Sequence, residues 1–471
     1  MKYSVLLILT LCLGCQQTAR KDISSAADLY PQDFLQQVEK LRDMALTDDT
    51  AYQLIESLTT EVGPRLGGSP ADAAAVTWAM DKFKSMDFDK ISLEPVTFRR
   101  WVRGPETAEI IAPFPQPLKI TALGRSMPTP KEGITGEIAH FATIEDLEAA
   151  TDDQVQGKIV YISNKMLRKK DGSGYGPAVK ARSMTAKVAA EKGGIGAIIR
   201  SIGTDSHRGP HTGATRYQEG ESTLPVGALS NVDADLLDNV LKRNKPVTVR
   251  YTLGSDWGDE YTSYNVIGDI VGREKPDEYV IIGGHLDSWD LGTGAIDDAS
   301  GCGITMATAS LIKQHIGQPR RTIRVILWAN EEYGLFGARA YHAAHQHEMN
   351  KHIIGAESDF GAGRIYALAS RADVASMPVF EAMAELLKPL DIPYVGNKGY
   401  SGPDLIPMRR AGMAVAGLYQ DGTSYFDYHH TPEDTLDKVI PADIAQNVAV
   451  WVVFTALAAE YAGDFGFGLS D

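Results

Sequence analysis

From about residue 263 onward, short apolar runs alternate with stretches of helical period, at 279–282, 300–315, 322–329, 335–347 and 353–356. Such alternation points to an α/β fold, an open, mostly parallel or mixed sheet with helices on both faces. Parallel strands in such a sheet are buried on both sides and read as continuous apolar runs, as Ile323-Arg324-Val325-Ile326-Leu327-Trp328-Ala329 nearly does. A sheet of this class binds its ligand at the carboxyl ends of its strands, so the residues that follow each run carry the functional information.

The rest of the 471-residue chain divides around that sheet. Residues 34–44, 52–58 and 71–86 have helical periodicity, the last with Pro70 at its start. Between about 101 and 262 the texture changes to short β-like runs (109–112, 158–162, 197–199 and 247–251) separated by Gly/Pro-rich turns, with one helix near 181–192. The expected organisation is therefore a main domain made of 34–100 and 263–471, interrupted by a β-rich insert at 101–262. With 44% hydrophobic and 23% charged residues the composition is that of a globular chain. The net charge of -15 disfavours a nucleic-acid partner, because phosphate needs a Lys/Arg surface. An acidic chain still binds cations.

Residues 1–15 read as an export signal: Met1-Lys2, an apolar run at 5–13 that is shorter than the roughly 20 residues of a spanning helix, then Leu13-Gly14-Cys15. The segment resembles a bacterial lipoprotein signal, which implies lipidation of Cys15, a polar tether over 16–33 and a periplasmic or cell-surface location. Plain secretion is the alternative. The three cysteines are Cys12, Cys15 and Cys302, so one chain is expected to hold no internal disulfide.

Residues of metal-ligand type cluster after the apolar runs. The run 279–282 leads into Gly283-Gly284-His285-Leu286-Asp287-Ser288, a histidine at a strand end with a carboxylate two residues on that could orient its ring. Gly294-Ala295-Ile296-Asp297-Asp298 sets two acids at a helix start, where the dipole favours negative charge and where one acid could bridge two cations. Asn330-Glu331-Glu332, Glu357-Ser358-Asp359 and His429-His430-Thr431-Pro432 complete the series. Imidazole and carboxylate together suit zinc, and a carboxylate shared by two ions would set them roughly 3.5 to 4 Å apart. Of the adjacent glutamates, one could bind metal while the other stays free as general base.

On these motifs the chain resembles the co-catalytic zinc exopeptidases, a family that includes bacterial leucyl aminopeptidases, glutamate carboxypeptidase II and carboxypeptidase Q, and it looks closest to the carboxypeptidase Q branch. The resemblance implies two Zn2+ per chain: His285 and Asp359 on one, Glu332 and His430 on the other, Asp297 between them, Glu331 as the base and Asp287 behind the ligands. Short peptides would be the substrate. It also implies that the insert, with Gly157-Lys158-Ile159-Val160 and Lys192-Gly193-Gly194-Ile195-Gly196-Ala197, is a protease-associated domain, and that the chain forms homodimers. Many relatives carry a tyrosine just before the last histidine, where this chain has His429; the oxyanion donor is then open between His429 and Tyr400. Tyr400-Ser401-Gly402-Pro403-Asp404 corresponds to a family loop near substrate, which makes Asp404 a candidate contact.

Other chemistries fit less well. His347-Glu348 is followed by His352 at a spacing of five, whereas two metal ligands on one helix face need four, so the histidines of 342–352 read as a solvated helix face. No serine has glycine two residues away on both sides, and Gly292-x-Gly294 lacks the third glycine of a dinucleotide loop. Two readings compete with the peptidase: a single-zinc acyltransferase of the glutaminyl-cyclase kind, and a receptor-like module that kept the fold without the activity.

Overall fold

The computed structural model describes residues 26–218 and 220–468. The export signal with Cys12 and Cys15 lies outside the described residues. Seven strands form the sheet that carries the site: β1 (Lys90–Val102), β2 (Asp256–Ile270), β3 (Lys275–His285), β4 (Arg321–Trp328), β5 (His352–Glu357), β6 (Ile365–Arg371) and β7 (Ala414–Gln420). Their order is β1-β2-β4-β3-β5-β7-β6. The four central strands β4, β3, β5 and β7 run parallel, while β2 and β6 pair with them antiparallel and β1 pairs with β2. The sheet is therefore mixed, and the carboxyl ends of its parallel strands open on one edge.

Alternation along the strands divides the packing. Val280 and Ile282 of β3 and Ile323, Val325 and Leu327 of β4 face helices Gln32–Ala45, Thr50–Glu61, Ser300–His315 and Pro441–Glu460 in one apolar cluster. Ile281, Ile326 and Trp328 face the other way, against Tyr341, Leu405 and Met408. Helix Pro441–Glu460 is long and apolar enough to span a membrane, but Ile444 to Ala459 are all buried inside the protein, so it is a core helix. The charge in the apolar run of β4, Arg324, is neutralised by a two-pronged pair with Asp269 of β2 at 2.9 Å and lies over the Tyr279 ring.

A second sheet of eight strands is built from residues between Glu106 and Leu253. The chain leaves along β1 and returns along β2, which pair from Lys90–Asp269 to Val102–Asp256.

Of the four histidines of 342–352, His347 is exposed as expected, but His345 and His352 depart from a solvated face. His352 begins β5, is buried, and bonds Tyr341 Oη through Nε2 at 2.8 Å, while His345 sits between Glu94 and Glu348 at 2.8 and 2.9 Å. The chain turns from helix Phe336–His345 into β5 within this stretch, so one helical face never forms.

Candidate metal centre

His285 is the last residue of β3. Its Nδ1 donates to the backbone carbonyl of Asp287 at 2.9 Å, which leaves the Nε2 lone pair facing Asp297 Oδ1 at 3.0 Å and Asp359 Oδ1 at 3.6 Å. The carbonyl of Asp287, not its carboxylate, is thus the nearer acceptor; the carboxylate is 3.7 Å from Nδ1. It accepts instead from the backbone N–H groups of Glu331, at 2.9 Å, and Glu332, at 3.4 Å. Asp287 therefore holds the turn after β4, where Asn330 takes a left-handed φ of 50° and sends the two glutamates apart.

Glu332 Oε2 lies 3.0 Å from His430 Nε2, and Asp297 Oδ2 lies 3.3 Å from the same nitrogen. Asp297 thus faces His285 with one oxygen and His430 with the other. His429 stacks on His430 with ring centres 3.5 Å apart and brings its own Nε2 to 3.5 Å from Asp297 Oδ2. Two groups of ligand type result, His285/Asp297/Asp359 and Asp297/His429/His430, and Asp297 belongs to both.

The neighbouring acid does different work. Asp298 turns back to accept from the N–H groups of His285, at 3.0 Å, and Gly301, at 2.9 Å, so it ties the end of β3 to the start of helix Ser300–His315. That approach requires Gly284: a Cβ there would sit 2.3 Å from Asp298 Oδ2. Arg65, fully buried, donates to the carbonyls of Leu286, Thr293 and Gly294 and fixes the loop between His285 and Asp297.

The profile of Peptidase family M28 matches residues 265–455. Over 410 residues the chain is 31% identical to carboxypeptidase Q of Homo sapiens, which spans 87% of this chain and 85% of that one. A peptidase M28 precursor from Shewanella amazonensis SB2B, known from a crystal structure, is 48% identical, with a TM-score of 0.90 over 92% of this chain and 98% of that one. The chain belongs to peptidase family M28. Membership makes it a zinc-dependent exopeptidase, a hydrolase. A zinc aminopeptidase from Bacillus subtilis, 20% identical over 88% of this chain and 98% of that one, shares the fold with a TM-score of 0.63.

The electrostatics of this M28 peptidase favour cations. Burial works to raise Asp297, yet the imidazoles of His285, His430 and His429 around it outweigh burial and hold it well below the usual carboxylate range. Burial lowers the tendency of His285 to protonate, but Asp287, Asp297 and Asp359 together push it well up. Glu331 and Glu332 are both pushed well up by burial and then by their acidic neighbours. Asp297 Oδ2 is buried without a hydrogen-bond donor. Acids this crowded, with an unpaired buried oxygen at the centre and imidazole nitrogens turned toward it, fit a divalent metal site.

Tyr400 is half-exposed; burial raises its phenol, followed by the charges of Glu357, Asp359 and Glu331, so it borders the same acids. Asp404 is fully buried, and its N–H donates to Glu357 Oε2 at 2.9 Å. Desolvation lifts Asp404 to about 8.

Sequence reasoning missed the residues that the second sheet sends to the M28 site. His211 Nδ1 donates to the carbonyl of His429 at 2.6 Å, Thr212 N–H donates to the carbonyl of His430 at 3.0 Å, and Arg182 Nη1 lies 3.4 Å from His430 Nδ1. Asp205, His207 and His211 form a further group of ligand type. Its nitrogens are committed: His207 Nε2 to the Asp427 carbonyl, His207 Nδ1 to Gly209 N–H, and His211 Nε2 to Asp205. It is a latch between the sheets. No spacing signal links these residues to His430, since they lie over 200 positions away and join it through backbone groups.

Proposed function

We propose that the chain is a dizinc exopeptidase that hydrolyses dipeptides or short peptides outside the cytoplasm, by aminopeptidase, dipeptidase or carboxypeptidase action. The observation that carries this reading is Asp297, whose two oxygens turn to His285 and to His430. In it, His285 and Asp359 would hold one zinc and Glu332 and His430 the other, with Asp297 between them. Bound there, the ions would supply Lewis-acid polarisation of the scissile carbonyl and a lowered pKa for water.

The chain's own groups supply the rest. Glu331, held apart from Glu332 by the Asp287 carboxylate, takes the proton of the attacking water and returns it to the departing amine. The Asp287 carbonyl keeps the His285 proton on Nδ1, and the Thr212 carbonyl, 3.4 Å from His430 Nδ1, does the same there.

Residues 101–262 we read as a protease-associated insert that walls the cleft, with 34–100 and 263–471 as the catalytic domain. The Shewanella relative is named a precursor, which supports export of this chain too; lipidation of Cys15 would tether it to a membrane, and a homodimer is the expected assembly.

The test is zinc content per chain by elemental mass spectrometry, after loading and desalting, on protein lacking residues 1–15. Two ions, with loss on Asp297→Ala, are expected, and a dipeptide panel then reads the activity. One ion would favour the single-zinc cyclase-like reading, and none the receptor-like one.

A further inference from the structure

The second sheet also delivers a tyrosine to the rim of the metal centre. Tyr175 opens helix Tyr175–Glu191; its ring stacks on Phe426 with centres 5.0 Å apart and meets His429 edge-on at 5.6 Å. Two turns further along the same helix face, Arg182 reaches back and donates an Nη2 hydrogen to Tyr175 Oη, while its Nη1 lies 3.4 Å from His430 Nδ1. One guanidinium thus touches the phenol oxygen and lies beside His430 of the metal centre.

The bonding pattern gives this phenol a direction. Its oxygen accepts from Arg182, so its own hydrogen is free to donate, and among the described residues no acceptor takes it. Arg182 is 8% exposed and has no carboxylate partner among the described residues, and its Nε is unpaired. A buried cation so placed polarises the O–H it touches. Burial raises the phenol, Arg182 opposes that, and the acids whose charge adds to it are Glu331 and Asp297. Neither other candidate combines these features: His429 already turns Nε2 to Asp297, and Tyr400 is half-exposed.

We infer that Tyr175 donates its phenolic hydrogen to the carbonyl oxygen that becomes an oxyanion when water attacks, with Arg182 polarising the donor. The inference rests on the exopeptidase reading above. No bond to Tyr175 forms or breaks; its hydrogen bond strengthens as charge develops on the oxygen.

Tyr175→Phe tests it, because phenylalanine keeps the stacking on Phe426 and His429 and removes only Oη. Zinc content should match wild type, while the melting temperature falls modestly because Arg182 loses an acceptor. On a dipeptide the wild type cleaves, kcat should fall about 100-fold with KM within about 3-fold, and a phosphinic dipeptide analogue, measured by calorimetry, should lose a similar factor in affinity. A kcat within about 3-fold of wild type overturns the inference while leaving the exopeptidase reading intact. A rise in KM at constant kcat also overturns it, since Tyr175 would then be a binding contact. Wild-type protein that cleaves no dipeptide and does not bind the analogue refutes both readings.

Discussion

Asp287→Asn separates two roles the same residue could play. Its carbonyl orients His285, and the substitution leaves that carbonyl in place. Its carboxylate accepts from two backbone N–H groups, at 2.9 Å from Glu331 and 3.4 Å from Glu332. An amide keeps one acceptor and turns its NH2 toward the other donor, leaving a buried N–H unpaired. Losing charge assistance on one bond and stranding one buried donor costs roughly 2–4 kcal/mol at this turn. That cost falls on Glu332 and not on His285, so one of the two proposed ions should bind about 30- to 1,000-fold more weakly while the other is nearly unchanged. Zinc competition titration against a chelator of known affinity reads the two sites separately. Equal weakening of both ions would refute the reasoning, because it would mean that Asp287 acts through its charge and not through the turn. An unchanged titration would refute it as well.

Four further outcomes are expected. Glu331→Gln should keep two zinc ions and the melting temperature but lower kcat by about 100- to 10,000-fold in a dipeptide assay; near-normal turnover would remove Glu331 as the base. Stripping zinc should lower the melting temperature, since ligand bound at 100 times its dissociation constant contributes about 2.7 kcal/mol, and zinc but not magnesium should restore it. Arg65→Met should lower melting temperature and zinc content together, because it strands the carbonyls of Leu286, Thr293 and Gly294. Asp72, buried and raised to about 6 chiefly by desolvation, holds its proton longer in the folded than in the unfolded state. Its ionisation therefore costs stability as pH rises from about 4 to 6, by an amount on the order of 3 kcal/mol, and urea unfolding should show that slope flattened in Asp72→Asn.

The central strands were legible because parallel strands buried on both faces must be apolar throughout, and β3, β4 and β5 fall where the runs at 279–282, 322–329 and 353–356 lie. Other strands were not. β1 runs Lys90-Ile91-Ser92-Leu93-Glu94-Pro95, and an edge strand of mixed polarity gives no run to read. β7, with Ala414-Val415-Ala416-Gly417, is fully inside, but its small residues resemble a helix or loop as much as a strand. In the site, the residues that meet are those that follow strand ends, where topology alone brings them to one edge. Tyr400 and Asp404 sit in a loop whose course no periodicity dictates, and Arg65 acts on carbonyls, which leave no trace in a sequence.

The second sheet cannot be a detachable wall, and the reason is His430. Its φ of 63° is an unfavourable conformation for a non-glycine residue, one that persists only where its surroundings over-determine it. Those surroundings are the Thr212 N–H on its carbonyl and the His211 imidazole on the carbonyl before it. The same segment is gripped again at Asp427, by Arg168 through two bonds at 2.7 and 2.6 Å and by Thr204 at 2.8 Å. Deleting 101–262 is therefore expected to abolish zinc binding at the Glu332/His430 pair before any change in substrate size is measurable. His211→Asn is the milder form of the same perturbation. Asparagine cannot span from Asp205 to the His429 carbonyl, so one ion should bind more weakly while folding persists, and unchanged binding of both ions would show that His430 holds its conformation unaided.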